Sequence, residues 1–355
     1  MSAGRLSGWR HSPAVWPLAG LLVLATLNVA HDGSLAFFKI TVQGGHFYGF
    51  LIDILNHGAI TMLLALGMTL VIATGGIDLS VGSVMGIAGA VAAVLLQRQW
   101  LFGTTLILAH HVGLPDGWMI GPAVVVALAA GLGCGVANGV MVAWARVQPI
   151  VATLVLMVAG RGIAQLVTGD NVVLINSKSF AFLGNGYVLM LPFSIVLVAA
   201  FYLATWAGLR KTAAGLLVEA AGDNETASRF AGLATARVKV CAYAFCGLCA
   251  AVAGLLVVSN VSAADPFKTG EYKELDAIFA VVVGGTALTG GRFSLLGSVI
   301  GALLLQTLQT TMYNLGVPPD IAPVPKALLI ITVCLLQSEK MRRWAAGLWA
   351  RKAAA

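Results

Sequence analysis

Repeated apolar runs, each about as long as a bilayer is thick, leave this chain few ways to fold. A spanning helix needs about 20 mainly apolar residues. Such runs lie near residues 14–30, 50–74, 83–97, 118–144, 150–168, 186–207, 240–260, 275–290, 293–314 and 324–338. They predict an all-α polytopic membrane protein with about ten transmembrane helices. The stretch 101–112 is apolar but short, as in a re-entrant or interfacial piece. Of the 355 residues 59% are hydrophobic and 10% charged, against roughly 25% charged in soluble domains, which excludes a cytosolic enzyme, a disordered tail and a nucleic-acid binder.

The scarce cations set an orientation. With the amino terminus in the cytoplasm and the spans alternating, fourteen fall inside: Arg5, Arg10, Arg146, Arg210, Lys211, Arg229, Arg237, Lys239, Arg292, Lys340, Arg342, Arg343, Arg351 and Lys352. Lys39, Arg98, Lys178, Lys268 and Lys273 fall outside, while Arg161 and Lys326 lie within or at the edge of spans. This excess predicts that both termini are cytoplasmic. Arg5 and Arg10 before an apolar run also resemble a secretory signal, but no clean small-x-small cleavage site follows, so the first helix is expected to stay. The chain then divides into a cytoplasmic amino terminus (1–13), a transmembrane domain (14–338) and a basic cytoplasmic tail (339–355) expected to lie on anionic lipid. One long cytoplasmic segment, 208–239, interrupts the membrane domain.

Two stretches echo one another. Gly75-Gly76 and Gly290-Gly291 are each followed, after five residues, by Gly-Ser-Val-x-Gly (Gly82-Ser83-Val84 and Gly297-Ser298-Val299). In the span assignment both copies sit where one helix ends at the cytoplasmic side and the next begins, so a parallel internal repeat is expected, as in many transporters. Glycines there permit tight turns and close helix approach. Asp78 and Ser80 lie inside the first copy, where Asp78 is expected to cap the third helix, with a gating role as the alternative.

Catalytic chemistry is missing. Gly208-Leu209-Arg210-Lys211-Thr212 lacks the glycine spacing that cradles phosphates, so ATP is not hydrolysed by this chain. Cys246 and Cys249 fall on an apolar helix with no further ligand at metal spacing and read as small core residues, and His110-His111 lacks carboxylate company. Asp53, His57, Asp78 and Asp276 all lie near helix ends, which weakens a proton relay. Arg161 is the exception, about midway along its span, where it must face protein or water. Asp53 or Asp276 could pair with it; it is either structural, as an assembly salt bridge or a helix-end snorkel, or a cavity residue that bonds substrate hydroxyls. Asn56, Asn138, Gln165, Asn260, Gln306 and Gln309 are the neutral polar groups at depth, suited to bonding between helices or lining a path.

Within the cytoplasmic segment, Asp223 or Asn224 can cap a helix that Gly232 ends in the left-handed conformation, giving one short helix of about two turns. Such a helix is unstable alone in water and is expected to pack against a partner, with Phe230 and Leu233 as apolar contacts.

Three motifs, in order, resemble the membrane permease subunits of bacterial ATP-binding-cassette sugar importers of the ribose type. They are Met68 to Ser83 with its Gly75-Gly76-Ile77-Asp78-Leu79-Ser80; Ala220-x-Gly222-x-Asn224-x-x-Ala227-Ser228-x-x-x-Gly232; and Glu274-Leu275-Asp276 with Gly284-Gly285 and Gly290-Gly291. Ala137-Asn138-Gly139, Pro149, Thr153 and Arg161-Gly162 add to the match, which covers about residues 50–338. Gly290-Gly291-Arg292-Phe293 with Pro318-Pro319 looks most like the galactofuranose branch. The sequence departs from many relatives where Lys273 separates Tyr272 from Glu274 and where Phe293 replaces a glycine.

The resemblance implies a non-enzymatic transport subunit of the bacterial inner membrane that moves a pentose or hexose. It implies a second permease, identical or a sister, a cytoplasmic ATPase that carries the ATP and Mg, and a periplasmic sugar-binding protein. No cofactor belongs to this chain. Gly222, Asp223, Asn224, Ala227, Ser228, Phe230 and Gly232 would form the coupling helix that docks on the ATPase. Asn56, Asp78, Ser80, Asn138, Arg161, Asp276, Gly75, Gly76, Gly290 and Gly291 are candidates for the translocation path or its helix turns. The competing readings are an ion-coupled secondary sugar transporter and a membrane receptor or scaffold.

Overall fold

The computed structural model describes residues 15–32, 35–97, 116–318, 321 and 323–337. The terminal segments 1–13 and 339–355, the 101–112 piece, Arg98, His110-His111 and Pro319 lie outside the described residues. Thirteen α-helices follow: α1 (Val15–Asp32), α2 (Phe50–Ala73), α3 (Val81–Leu96), α4 (Asp116–Ala143), α5 (Pro149–Thr168), α6 (Lys178–Asn185), α7 (Phe193–Lys211), α8 (Ala214–Asp223), α9 (Glu225–Phe230), α10 (Thr235–Val261), α11 (Lys273–Val283), α12 (Leu295–Asn314) and α13 (Pro323–Gln337). Six of them, α2, α4, α5, α7, α10 and α12, are long and apolar enough to cross a membrane, and α1, α3 and α13 contain shorter apolar helices.

Most expected spans coincide with helices, but two differ. The run 275–290 contains only the 11-residue α11, about 16 Å long by helical rise and too short to span. It stops because Gly284 and Gly285 follow, the latter at φ 88, where side-chain-bearing residues are strained. The run 186–207 begins as strand and becomes helical only at Phe193, after Pro192.

Three small antiparallel pairs mark one end of the bundle. Thr41–Gln43 pairs with His46–Tyr48 across Gly44-Gly45, and Tyr187–Val188 pairs with Leu191–Pro192 across Leu189-Met190. The Phe47 N–H donates to the Met190 carbonyl at 3.0 Å and joins these two hairpins. Val173–Leu174 pairs with Ala263–Ala264. These strands flank the starts of α2 and α7 and the ends of α5 and α10. At the opposite end lie the loop 74–80, the segment 212–234 and the loop 284–294.

The described cations sort by end as the sequence predicts. Arg146, Arg210, Lys211, Arg229, Arg237, Lys239 and Arg292 lie at the glycine-loop end, whereas Lys39, Lys178, Lys268 and Lys273 lie towards the hairpin end.

The core forms where small residues let helices meet. Over an 18-residue apolar stretch of each helix, α2, α10 and α12 are 78%, 67% and 67% buried, whereas α4, α5 and α7 are only 22%, 28% and 17% buried and leave apolar faces exposed. α3 is buried along nearly its whole length, from Val81 to Leu95. Gly131, Gly135 and Gly139 recur every fourth residue on α4 and press on α10; a Cβ on Gly135 would strike the Tyr243 carbonyl. Cys246 and Cys249 are buried in α10 against Gly67 of α2, as small core residues.

Candidate functional site

The segment between α7 and α10 holds two helices, not one. α8 rests against α2, α7 and α10, and α9 follows it directly. Of the two candidate caps, Asn224 serves: its Oδ1 accepts from the Ala227 N–H at 2.9 Å. Asp223 ends α8 instead. After α9, Gly232 lies at φ 85, and the Leu233 N–H donates to the Ser228 carbonyl at 3.0 Å.

A six-residue helix needs external ties. Ser228 Oγ donates to the Ala220 carbonyl at 2.7 Å, binding α9 to α8, and Glu225 pairs with Lys239 of α10 at 2.6 Å. Within this fixed frame Phe230 is 89% exposed. A large aromatic held outward on a rigid turn is suited to a pocket on another protein.

Gly222 joins this segment to both glycine repeats. A Cβ there would run into the Ala73 carbonyl and stand 2.5 Å from the Gly291 nitrogen. The Gly291 N–H donates to the Ala73 carbonyl at 2.9 Å, and a Cβ on Gly290 would stand 2.9 Å from the Gly75 nitrogen and 3.0 Å from the Gly222 carbonyl. The two glycine loops therefore meet, backbone on backbone, with Gly222 near the end of α8 between them. Gly75, Gly290 and Gly291 have φ of 78, 87 and 87, open to glycine and strained for other residues.

The loop 74–80 is held by a polar cluster. Asp78 Oδ1 accepts from the Ser80 N–H at 2.9 Å and from Ser80 Oγ at 2.6 Å, and Asn138 Nδ2 donates to Ser80 Oγ at 2.8 Å. Asp78 thus closes a turn two residues long and does not cap α3, whose cap residue Ser80 makes no side-chain capping bond. Tyr243 of α10 packs beside Gly76 and donates to the Ile77 carbonyl at 3.4 Å. Thr153 Oγ1 of α5 accepts from the Leu79 N–H at 3.1 Å. Asp78, Ser80, Asn138, Thr153 and Tyr243 are buried, so protein covers most of this irregular backbone, and Asn138 Oδ1 is left without a hydrogen-bond partner among the described residues.

Arg161 has other partners than those expected. It lies twelve residues into α5, about 18 Å along the axis. Its Nη1 donates to the Thr269 carbonyl at 2.7 Å and the Phe267 carbonyl at 3.4 Å. Asp276 instead pairs with Lys326 at 2.8 Å and Lys273 at 3.6 Å, and Asp53 is exposed. The segment 265–272 therefore descends between the helices until Gly270 abuts Gly82, and Arg161 satisfies its carbonyls. Glu274, at the start of α11, is buried beside Arg161; its Oε2 has no hydrogen-bond partner among the described residues. Sequence reasoning missed Glu274 as Arg161's neighbour, since only the descent of 265–272 brings them together.

Two other candidates make interhelical bonds: Ser194 Oγ of α7 donates to Asn56 Oδ1 of α2, and Asn260 Nδ2 of α10 to Asn185 Oδ1 of α6 at 3.4 Å. Gln306 and Gln309 bond within α12, Gln306 Nε2 to Thr310 Oγ1 at 3.2 Å and Gln309 Nε2 to the Tyr313 hydroxyl at 2.9 Å. Among the described residues no group of three His, Cys, Asp or Glu side chains could hold a metal.

Residues 50–334 match the family described as branched-chain amino acid transport system / permease component. The chain is 42% identical to the galactofuranose transporter permease protein of Escherichia coli strain K12, covering 92% of this chain and 91% of the relative. It is 36% identical to the ribose import permease protein of the same strain (96% and 100%) and 34% identical to the fructose import permease protein of Bifidobacterium longum strain NCC 2705 (96% and 92%). No solved structure matches the chain.

Proposed function

The chain belongs to the branched-chain amino acid transport system / permease component family, and from that membership we propose that it is the membrane permease subunit of an ATP-binding-cassette importer for a monosaccharide, with galactofuranose, ribose and fructose as the first sugars to test. It acts in the bacterial inner membrane with a second permease, a binding protein outside and an ATPase that holds the ATP and Mg. About ten membrane-crossing or membrane-embedded segments, including the short α3 and α11, form each half of the path, and the two glycine motifs mark a parallel repeat. Both termini face the cytoplasm.

The observation that carries this reading is the rigid α8–α9 segment. It presents an exposed Phe230 on one side and, through Gly222, touches both glycine loops on the other. A push from a closing ATPase on α9 reaches the ends of α2 and α12 without passing through flexible side chains. The exposed faces of α4, α5 and α7 supply surface for the second permease and for lipid. Nothing in the relatives favours an ion-coupled carrier.

The test is reconstitution in proteoliposomes with the ATPase and binding protein and a panel of pentoses and hexoses. ATP hydrolysis should rise with one sugar only. Phe230→Ala should weaken ATPase association at least about tenfold while leaving the membrane fold intact, since the ring touches little of its own chain. Uptake that persists without ATP and follows a proton or sodium gradient would overturn the reading.

A further inference from the structure

A cavity of about 700 Å³ opens between the ends of α7 and α10, with α8 across it. Its walls are almost wholly apolar: Leu70, Phe201, Leu209, Leu217, Val238 and Phe245 among others. The Thr205 hydroxyl at its wall is already used, donating to the Phe201 carbonyl at 2.7 Å. The volume is that of a ligand pocket, not a packing defect.

Its depth and charge describe the occupant. From Arg237 to Phe245 on α10, and from Leu209 back to Ala200 on α7, the lining runs about 12–14 Å along the helix axes, close to half the roughly 30 Å hydrocarbon thickness. Cations crowd the shallow end and apolar groups the deep end. Arg237 lines the cavity, and Lys211 continues the lining face of α7 one turn beyond Gly208, whereas Arg210 lies on the opposite face. Arg237 and Lys211 are exposed, and neither makes an ion pair or side-chain hydrogen bond among the described residues. Trp206, 42% exposed one turn earlier on α7, suits a membrane interface.

We propose that this cavity binds an anionic phospholipid of the adjacent leaflet, its acyl chains between α7 and α10 and its phosphate held by Arg237 with Lys211. A hydrophilic anion gains nothing from the apolar walls, and a neutral lipid leaves the two cations unanswered. Basic pockets between membrane helices hold anionic headgroups for this reason. The bound lipid fills the space behind α8, so it braces the segment that carries Gly222.

The experiment uses the full-length chain in mild detergent, with lipid retention read by native mass spectrometry against added phosphatidylglycerol or phosphatidylcholine. Wild type should retain phosphatidylglycerol in preference to phosphatidylcholine. Arg237→Ala should weaken that retention about fivefold and Lys211→Ala with Arg237→Ala roughly 25-fold. Ala204→Trp, which fills the cavity from the exposed side of α7, should abolish it. Arg146→Ala, at the loop between α4 and α5, should leave retention unchanged. Equal retention of the two lipids, no lipid on wild type, wild-type retention in Ala204→Trp, or an equal loss in Arg146→Ala would each overturn the proposal. So would a cross-link placing a second permease or the ATPase in the cavity.

Discussion

Two glycines ten residues apart bracket α9 for different physical reasons. Gly222 has no room for a Cβ, because the Ala73 carbonyl and Gly291 nitrogen stand where it would go. Gly232 has open space around it but sits at φ 85. Gly232→Ala should therefore cost about 1–2 kcal/mol through backbone strain and be eased by Gly232→Asn, since asparagine tolerates the left-handed region. Gly222→Ala should cost about 1–3 kcal/mol through overpacking and find no substitute that relieves it. Thermal unfolding of the purified variants separates the two.

Arg161 is the other residue whose effect is specific. Arg161→Ala leaves the Thr269 carbonyl without its donor and Glu274 without a neighbouring positive charge, so yield and sugar uptake should both fall. Adding Glu274→Gln should recover part of the loss, by a coupling of about 0.5–3 kcal/mol in a double-mutant cycle; strictly additive effects would show that the two do not interact. A deep arginine was legible from hydropathy alone. Its partners were not, because Pro266, Lys268 and Gly270 read as an outer loop and nothing local reveals that such a loop descends to meet Gly82.

Two pairs of helix ends were legible from single residues, whereas Ser177, which caps α6 by accepting from the Phe180 N–H, went unread. Asn224 and Gly232 bound α9, and Pro149 and Gly169 bound α5, the latter at φ 64. Asn224→Ala should cost about 1 kcal/mol of local helix stability and lower sugar-stimulated ATP hydrolysis, while Asn224→Asp retains both. Unchanged hydrolysis in the alanine variant would show that α9 does not need its cap. α8 escaped notice because Ala214 to Asp223 has no distinctive start signal: Ala213 makes no capping bond, and contacts with α2, α7 and α10 hold the helix in place. α11 was overextended because glycine barely alters a hydropathy average, although Gly284-Gly285 ends the helix in space.

At the scale of the whole molecule the bundle has two unlike ends, one of small hairpins and one of glycine loops. Seven of the described cations gather at the second. In a chain whose own cysteines are replaced, Phe230→Cys should react with a membrane-impermeant maleimide only from the cytoplasmic side and Leu189→Cys only from the periplasmic side. Both positions are well exposed, at 89% and 85%, so failure to label is informative. The reverse pattern would invert the proposed orientation. The count of crossings is poorly legible in the sequence, because hydropathy weighs composition and not length in space, and α3 and α11 are apolar without being long.

The meeting of Ala73, Gly75, Gly222, Gly290 and Gly291 is a joint made of main chain. Side chains are the parts of a protein that mutation can lengthen, shorten or recharge by degrees, and this joint presents almost none. Its stiffness cannot be adjusted in small steps; a change either fits as glycine fits or separates the loops. On the proposed reading, importers built on this plan diverge elsewhere, at the outward face of α9 and at the hairpin end, while the linkage between them stays the same.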